Sequence, residues 1–222
     1  LRDRGKDLKL HPVELLKIST PNTGKGFDID PPRFVRITSP AGLVAYDVSL
    51  RLPKLDQPIT GLRVIFHPDP AHGYGTLPQQ AGAAPPSSGT FVLTSFSAST
   101  ESVPGDQVNL NLLRAISQVT ADSWHENYRP ENVLDTRNEN GWSPSPDGEV
   151  ASATGRTTNT AHITLTFAEP INSAATPYMT AQLNFGHGHS LVAARFDLLA
   201  ITGADDGSPL PADIIAIIQK PI

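Results

Sequence analysis

The sequence predicts an all-β protein: an antiparallel β-sandwich of jelly-roll type with at most one or two short helices. Three observations support this class. The 222-residue chain contains 21 prolines and 17 glycines, which divide it into short segments. Only 18% of the residues are charged and 38% are hydrophobic, a balance typical of a globular domain. Several apolar segments alternate with period two, as strands with one buried face do.

Strand candidates are spread over the whole length, so one sandwich is simpler than two. We expect a single domain over residues 11–222, preceded by a flexible lead-in over residues 1–10. All-β domains of this length are often single. The chain starts at Leu1 without an initiator Met or a signal peptide. We therefore interpret it as part of a larger or processed protein.

Composition excludes several classes of function. The formal net charge is −5, and the only basic cluster is LRDRGKDLK at residues 1–9. Nucleic acids and anionic membrane surfaces need a larger basic footprint, so neither is an expected partner. Cysteine is absent, which excludes a Cys nucleophile, a thiolate metal site and covalently attached haem in this chain. No apolar run approaches ~18 residues, so no membrane insertion is expected.

The N-terminal half reads as strands separated by Pro- and Gly-rich turns. Strands are predicted over 13–19, 33–39, 43–52, 61–67 and 90–100. The second and third of these flank Pro40, Ala41 and Gly42, so they are predicted to pair with each other. Pro12 would also allow a short helix in place of the first strand. Residues 22–32 are predicted to be a loop, and 67–90 form a long loop that is either a connector or a cover for a cleft.

The C-terminal half continues in the same way. Strands are predicted over 108–122, 162–168, 178–186 and 190–202. RPENVLD, at 129–135, has a proline suited to a first helical turn and is predicted to be one short helix. The apolar end, 211–222, reads as a last strand or a short helix.

The segment YRPENVLDTRNENGW, residues 128–142, concentrates carboxylates and amides in one loop. These groups are the hard oxygen ligands that calcium takes. The candidate calcium ligands are Asp135, Asn138 and Asn140. The alternative is a solvated loop with Asx turns, which the same residues favour. An EF-hand is excluded because its spacing and its final Glu are missing.

Aromatic side chains flank the polar loops and could stack on a sugar ring. Trp124, Tyr128 and Trp142 are the candidates, with His125 and Arg129 nearby to bind hydroxyls. Trp124 lies in the polar segment DSWHENY and is the better platform. For Trp142 we favour packing at the edge of the core, because Trp is mostly buried in folded proteins.

The GHGH segment supplies a further pair, His187 and His189, which would point to one face of a strand. Such a pair could bind a transition metal in a cupin-like jelly roll. A cupin would need a further His, and none follows residue 189. We therefore favour a polar strand end whose histidines hydrogen-bond the backbone or line a binding cleft, and we count both among the candidate carbohydrate-binding residues.

Nothing specific points to catalysis. The sequence has no GxSxG, no HExxH and no Gly-rich phosphate loop. Glycoside hydrolysis needs two facing carboxylates. The acids that could supply them are Asp122, Glu126, Asp135 and Glu139. Clustered acids in a loop are usually solvated or metal-bound, so we expect no enzyme.

The order of several phrases resembles large secreted planctomycete-type cytochrome c proteins. The phrases are GLRVIFHPDP, a Pro/Gly/Ala-rich loop, GTFVLTSFSAS, YRPENVLDTRNENGWSP and HSLVAARFDLLAIT. The resemblance covers about residues 45–202. It implies a galactose-binding-like, discoidin-like sandwich beside haem domains. It also implies carbohydrate binding on an exported protein, in the periplasm or at the cell surface, with a calcium ion in the loop that contains Asp135.

Together these observations predict a non-catalytic module that tethers a larger exported protein to polysaccharide. Two alternatives remain. A structural or protein-interaction sandwich would pack against neighbouring haem domains, and it would show an exposed apolar patch instead of a polar groove. A glycoside hydrolase would require convergent carboxylates in a pocket.

Overall fold

The described part of the chain folds into two antiparallel sheets and two short 3-10 helices. The computed structural model describes residues 8–20, 27–30, 34–37, 44–67, 91–101, 112–123, 126–135, 141–144, 160–186, 192–193 and 195–203. Within these residues the predicted class, an all-β antiparallel sandwich, is confirmed.

The larger sheet has seven strands. They are β1 (Lys9–Pro12), β3 (Phe27–Asp30), β4 (Phe34–Ile37), β6 (Ile59–Phe66), β9 (Ile116–Thr120), β10 (Ala161–Ile171) and β12 (Arg195–Thr202). Their order is β3-β4-β12-β6-β10-β9, and β1 pairs with β12 as well. Most neighbouring strands in this sheet are therefore distant from each other in the sequence.

The smaller sheet has five strands. They are β2 (Glu14–Ser19), β5 (Val44–Arg51), β7 (Ser95–Glu101), β8 (Leu112–Leu113) and β11 (Tyr178–Phe185), in the order β2-β5-β11-β7-β8. The 3-10 helices are Glu126–Tyr128 and Pro130–Leu134, and the second of them packs against β7 and β9. This confirms the short helix predicted over 129–135, with Pro130 in its first turn.

The hydrophobic core lies between the two sheets. Alternate residues of β5 and β6 point into it, as the period-two pattern predicts, and each of these side chains is at most 1% exposed: Tyr46, Val48, Leu50, Leu62, Val64 and Phe66. Tyr46 of the smaller sheet meets Phe196 of the larger sheet with ring centroids 6.3 Å apart. Full burial of one such apolar side chain stabilises the fold by roughly 1.5–3 kcal/mol.

Strand β12 is buried on both of its faces. Phe196 and Leu198 point into the core between the sheets. Asp197 and Leu199 alternate with them and so lie on the outer side, yet they are only 0% and 6% exposed. Close approach in this sheet also explains Gly61, because a Cβ there would collide with the carbonyl oxygen of Leu165.

The predicted pairing of segments 33–39 and 43–52 is wrong. Both segments form strands, but β4 pairs with β3 and β12, whereas β5 pairs with β2 and β11. Period-two alternation identifies a strand without identifying its sheet, and turn residues also occur where the chain passes from one sheet to the other. For the same reason the predicted strand 108–122 is split: β8 joins the smaller sheet and β9 the larger one.

Two further boundaries differ from the sequence prediction. The predicted loop 22–32 contains β3, which pairs with β4. The predicted lead-in, 1–10, contributes Lys9 and Leu10 to β1, where they pair with Thr202 and Ile201. Both strands have only four residues, so even the apolar–acidic alternation of β3 is too short to distinguish a strand from a loop by sequence. The predictions for 68–90 and 211–222 lie outside the described residues.

Candidate functional site

Trp142, one of the predicted sugar-binding aromatics, is part of the core. It is fully buried, with ring centroids 5.7 Å from Phe66 and 5.6 Å from Phe91. Its indole Nε1 donates a hydrogen bond of 2.9 Å to the carbonyl oxygen of Asp122. No face of the ring is left for a sugar, so assigning Trp142 to the carbohydrate-binding set is wrong. The alternative favoured from the sequence, packing against the core, is confirmed.

The end of the loop, at Trp142, is hydrogen-bonded to the segment just before β7. Trp142 and Leu93 exchange two backbone hydrogen bonds of 2.8 and 2.9 Å. Asn132 Nδ2 donates to the carbonyl oxygens of Asn127 at 2.8 Å and Gly141 at 3.0 Å. Gly141 is required by the close contact, since a Cβ there would lie 2.8 Å from the carbonyl oxygen of Leu93. The sequence identified this loop as special, and the structure shows that several hydrogen bonds hold its ends.

Three further predicted site residues lie on this loop. Arg129 is exposed, whereas Tyr128 and Asp135 are half-buried. The backbone N–H of Asp135 donates to the carbonyl oxygen of Asn132 at 3.1 Å and so ends the second 3-10 helix. Tyr128 and Arg129 therefore remain available as candidates for contact with a ligand.

The remaining predicted site residues lie outside the described residues: Trp124, His125, Asn138, Asn140, His187 and His189. Calcium binding stays a prediction, because two of its three proposed ligands are among these six. Within the described part of the chain, no group of three or more His, Cys, Asp and Glu side chains is placed to hold a metal ion.

A polar surface lies on the outer side of the smaller sheet. We call it the polar face and define it by the outward residues of β5, β11 and β7. They are Ala45, Asp47, Ser49, Arg51, Tyr178, Thr180, Gln182, Asn184, Ser95, Ser97, Ser99 and Glu101. Only Ala45 lacks a polar group in its side chain. The residues between them point inward and are buried, so the alternation defines the face without ambiguity.

Cross-strand hydrogen bonds order the polar face. Asn184 Nδ2 donates to Ser95 Oγ at 2.7 Å, and Gln182 Nε2 donates to Asp47 Oδ1 at 2.8 Å. The first bond joins β11 to β7 and the second joins β11 to β5. Each bond uses part of the hydrogen-bonding capacity of an amide or carboxylate and fixes the orientation of the remainder.

The other end of the polar face carries charge. Thr180 Oγ1 donates to Glu101 Oε1 at 2.7 Å, and Arg51 donates from a guanidinium nitrogen to Glu14 Oε2 at 2.7 Å. The same guanidinium lies 5.6 Å from the centre of the Tyr178 ring. A hydrogen bond with Tyr178, followed by the charge of Glu14, raises the pKa of Arg51 above its usual value. This row of side chains thus combines an aromatic ring with both signs of charge.

Sequence reasoning did not assign the polar face as a site, although a signal was present. The strands YMTAQLNF and SFSASTE place small polar or amide residues at alternate positions. That pattern was used only to predict strands. The pairing of β7, β11 and β5 side by side, which joins the three outward rows into one surface, depends on tertiary structure.

The predicted loop and the polar face meet at the start of β7. Thr94 lies between Leu93, which pairs with Trp142, and Ser95, which belongs to the face. The Thr94 hydroxyl accepts a hydrogen bond of 3.0 Å from the backbone N–H of Gly186, the residue that precedes His187. Trp142, at the end of the loop, and Gly186, just after β11, therefore both lie beside the start of β7. This is the same edge of the polar face.

A second polar cluster lies on the outer side of the larger sheet. His67 Nε2 is 3.1 Å from Asp197 Oδ1, and the Asp197 side chain is fully buried. The rings of His67 and Phe34 meet edge to face at 5.0 Å, and the Arg195 guanidinium lies 4.0 Å from the centre of the Phe34 ring. Both faces of β12 are covered here, so we interpret this cluster as part of the packing.

The fold and the site together define the class of this protein: an antiparallel β-sandwich with a polar, hydrogen-bonded outer sheet face. Comparison of the chain with protein-family models, curated proteins and solved structures finds no significant match. Among the described residues, no helix is long and apolar enough to cross a membrane. Any assignment of function therefore rests on the site itself.

Proposed function

We propose that this domain is a non-catalytic carbohydrate-binding module that tethers a larger exported protein to polysaccharide. The observation that carries the proposal is the polar face. Its carboxylate, amide and hydroxyl groups are the types that hydrogen-bond sugar hydroxyls. Tyr178, together with Tyr128 and Arg129 on the loop, adds rings and donors that could contact a sugar. The proposed setting, an exported protein with haem domains, comes from the resemblance described above.

The ordering of the face supports this proposal. Gln182 is held by Asp47 and Asn184 is held by Ser95, at 2.8 and 2.7 Å. A ligand would then meet groups whose orientation is already fixed, which reduces the entropy lost on binding. The side chains are only partly exposed, so their unused donors and acceptors are directed to a limited region above the sheet.

The residue types on the face support the proposal as well. Asp and Asn are depleted in strands, yet Asp47 and Asn184 lie on central ones. Serine occupies three successive outward positions of β7, where β-branched residues would favour the strand more. Positions that break a local preference without a packing gain are often functional. The small serines also leave room beside the longer side chains of β11, along a strand of about 20 Å.

The expected affinity is weak. A neutral hydrogen bond to a sugar replaces one to water and contributes a net of only ~1 kcal/mol. A few such bonds on a shallow surface would give a modest affinity for a single site. Several modules on one polysaccharide would raise the effective affinity through multivalency. Tethering requires only this combined affinity of several modules, and it needs no catalytic group.

A glycan array, run with and without calcium, would test the proposal, followed by calorimetry on the glycans that bind. We expect Gln182→Ala and Asn184→Ala to weaken binding by about fivefold or more, the equivalent of ~1 kcal/mol. Gln118→Ala is the matched control, because Gln118 is a half-buried glutamine on β9 in the other sheet. Circular dichroism would confirm that all three variants are folded.

Two results would contradict the proposal in different ways. If no glycan binds, the domain is not a carbohydrate-binding module. If glycans bind but Gln182→Ala behaves like Gln118→Ala, the polar face is not the site. A loss of binding in Trp124→Ala alone would then place the site on the loop, as the sequence predicts.

A further inference from the structure

A cleft lies where the polar face ends. Its volume is about 460 Å³, and its walls come from the junction of β1 and β2, the end of β5 with the residues that follow it, and the turn between β10 and β11. The lining residues are Pro12, Glu14, Arg51, Leu52, Pro53, Lys54, Ser173, Ala174 and Pro177. Ligand pockets typically measure ~300–1,000 Å³, so the cleft is large enough for a sugar residue.

The cleft is locally positive in an acidic chain. Arg51 and Lys54 line it, and the only acid in the lining is Glu14. The whole chain, in contrast, has a formal net charge of −5. Two cations that face one concave surface attract an anionic group, since a cleft concentrates the field of the charges that line it.

Arg51 is positioned to bind a second carboxylate. Its side chain is 47% exposed, and one guanidinium nitrogen is bonded to Glu14 at 2.7 Å. Guanidinium has five N–H donors in a planar fork, so others remain for a ligand. The ring of Tyr178 and the carboxylate of Glu14 hold that plane in a fixed orientation. Arg51 can therefore bind a carboxylate with little further loss of side-chain entropy.

The remaining walls of the cleft are rigid. Pro12, Pro53 and Pro177 have no backbone N–H and a fixed φ, so these walls are stiff. Ser173 is only 3% exposed, and its Oγ lies 3.4 Å from the backbone nitrogen of Leu55, which donates to it. The floor of the cleft is therefore held in place by the polypeptide around it.

We propose that the cleft binds the carboxylate of an acidic sugar residue, so that the polar face and the cleft together recognise a uronate-containing glycan. This inference rests on the proposed function and deepens it by naming the class of glycan. Arg51 belongs to both surfaces, so a carboxylate bound by Arg51 and Lys54 places the attached sugar chain next to Tyr178. Neutral sugars would still use the polar face, with lower affinity.

Matched ligands would test the inference: tri-galacturonate and its fully methyl-esterified form, titrated by calorimetry and by NMR. We expect the acid to bind about tenfold more tightly than the ester at low salt, and the difference to shrink as salt screens the charges. Arg51→Gln and Lys54→Gln should each reduce this preference, and the double variant should abolish it. Glu14→Gln should increase the preference, because it removes a negative charge from the lining of the cleft, while the Tyr178 ring still contacts Arg51.

Arg36→Gln is the control, since Arg36 is an exposed arginine on β4 of the other sheet. Equal affinity for acid and ester refutes the inference, and so does a preference that survives in the double variant. If both ligands bind equally and Gln182→Ala weakens both, the proposed function stands and only the acidic specificity fails. If neither oligomer binds, the uronate inference fails, and the glycan array decides separately whether the proposed function stands.

Discussion

Replacing Trp142 with Phe tests whether this residue is structural. The change removes the 2.9 Å hydrogen bond from Nε1 to the carbonyl oxygen of Asp122, which costs ~1 kcal/mol. It also leaves a gap beside Phe66 and Phe91, because Trp142 is fully buried. Truncation of such a residue to Ala costs ~3–5 kcal/mol, and Phe restores part of that volume. We expect a total loss of about 2–3 kcal/mol.

Urea unfolding followed by circular dichroism measures this loss, and thermal unfolding should show a decrease in Tm of roughly 5–10 °C for a chain of this length. Fluorescence gives an independent check, since the chain has only two tryptophans. In a Trp124→Phe background, the emission of Trp142 should be blue-shifted and shielded from iodide. If Trp142→Phe left stability unchanged and abolished glycan binding, the assignment of Trp142 to the core would be refuted.

Three other predictions concern the loop and the larger sheet. Asn132→Asp removes the donors to two carbonyl oxygens and should destabilise the fold by about 2 kcal/mol, measured as a shift of the urea midpoint; an unchanged midpoint would contradict the role of Asn132 in fastening the loop. His67→Ala removes a hydrogen-bond partner of the buried Asp197 carboxylate and should cost ~2–3 kcal/mol, whereas His11→Ala, which loses a hydrogen bond to the Thr202 hydroxyl, should cost ~1 kcal/mol; equal losses would contradict a larger contribution from the bond to the buried carboxylate. If the loop at Asp135 binds calcium, a concentration of 100 Kd should stabilise the fold by ~2.7 kcal/mol, and chelator should reverse the gain in Tm; identical melting in both conditions would remove the calcium hypothesis.

The loop from Tyr128 to Trp142 shows how far local sequence carries a prediction. Pro130 and the flanking polar residues were enough to predict a short helix there. The density of Asn and Asp marked the segment as unusual, and Asn132 indeed donates to two carbonyl oxygens, one just before the loop at Asn127 and one near its end at Gly141. The direction of the Trp142 ring was not predictable with certainty, because burial depends on Phe66 and Phe91 from distant strands.

The polar face shows what local sequence does not predict. Alternation in β11 predicts that Thr180, Gln182 and Asn184 share one face, since side chains in a strand alternate. It does not predict that Asp47 and Ser95 lie opposite them, because those partners are 135 and 89 residues away in the chain. Such pairings are set by which strands exchange backbone hydrogen bonds.

For this protein, the sequence alone determined the all-β class, the inward and outward positions of the long strands, and the short helix at Pro130. These features depend on period-two hydrophobicity and on the local geometry of proline, so each can be read within a few neighbouring residues. Only the tertiary structure decided which sheet each strand joins and which outward rows lie side by side. It therefore decided that Arg51 ends the polar face and also lines the cleft. The physical reason is that sheet pairing joins residues far apart in the chain. The apolar faces of all the strands also have to be buried in one common core.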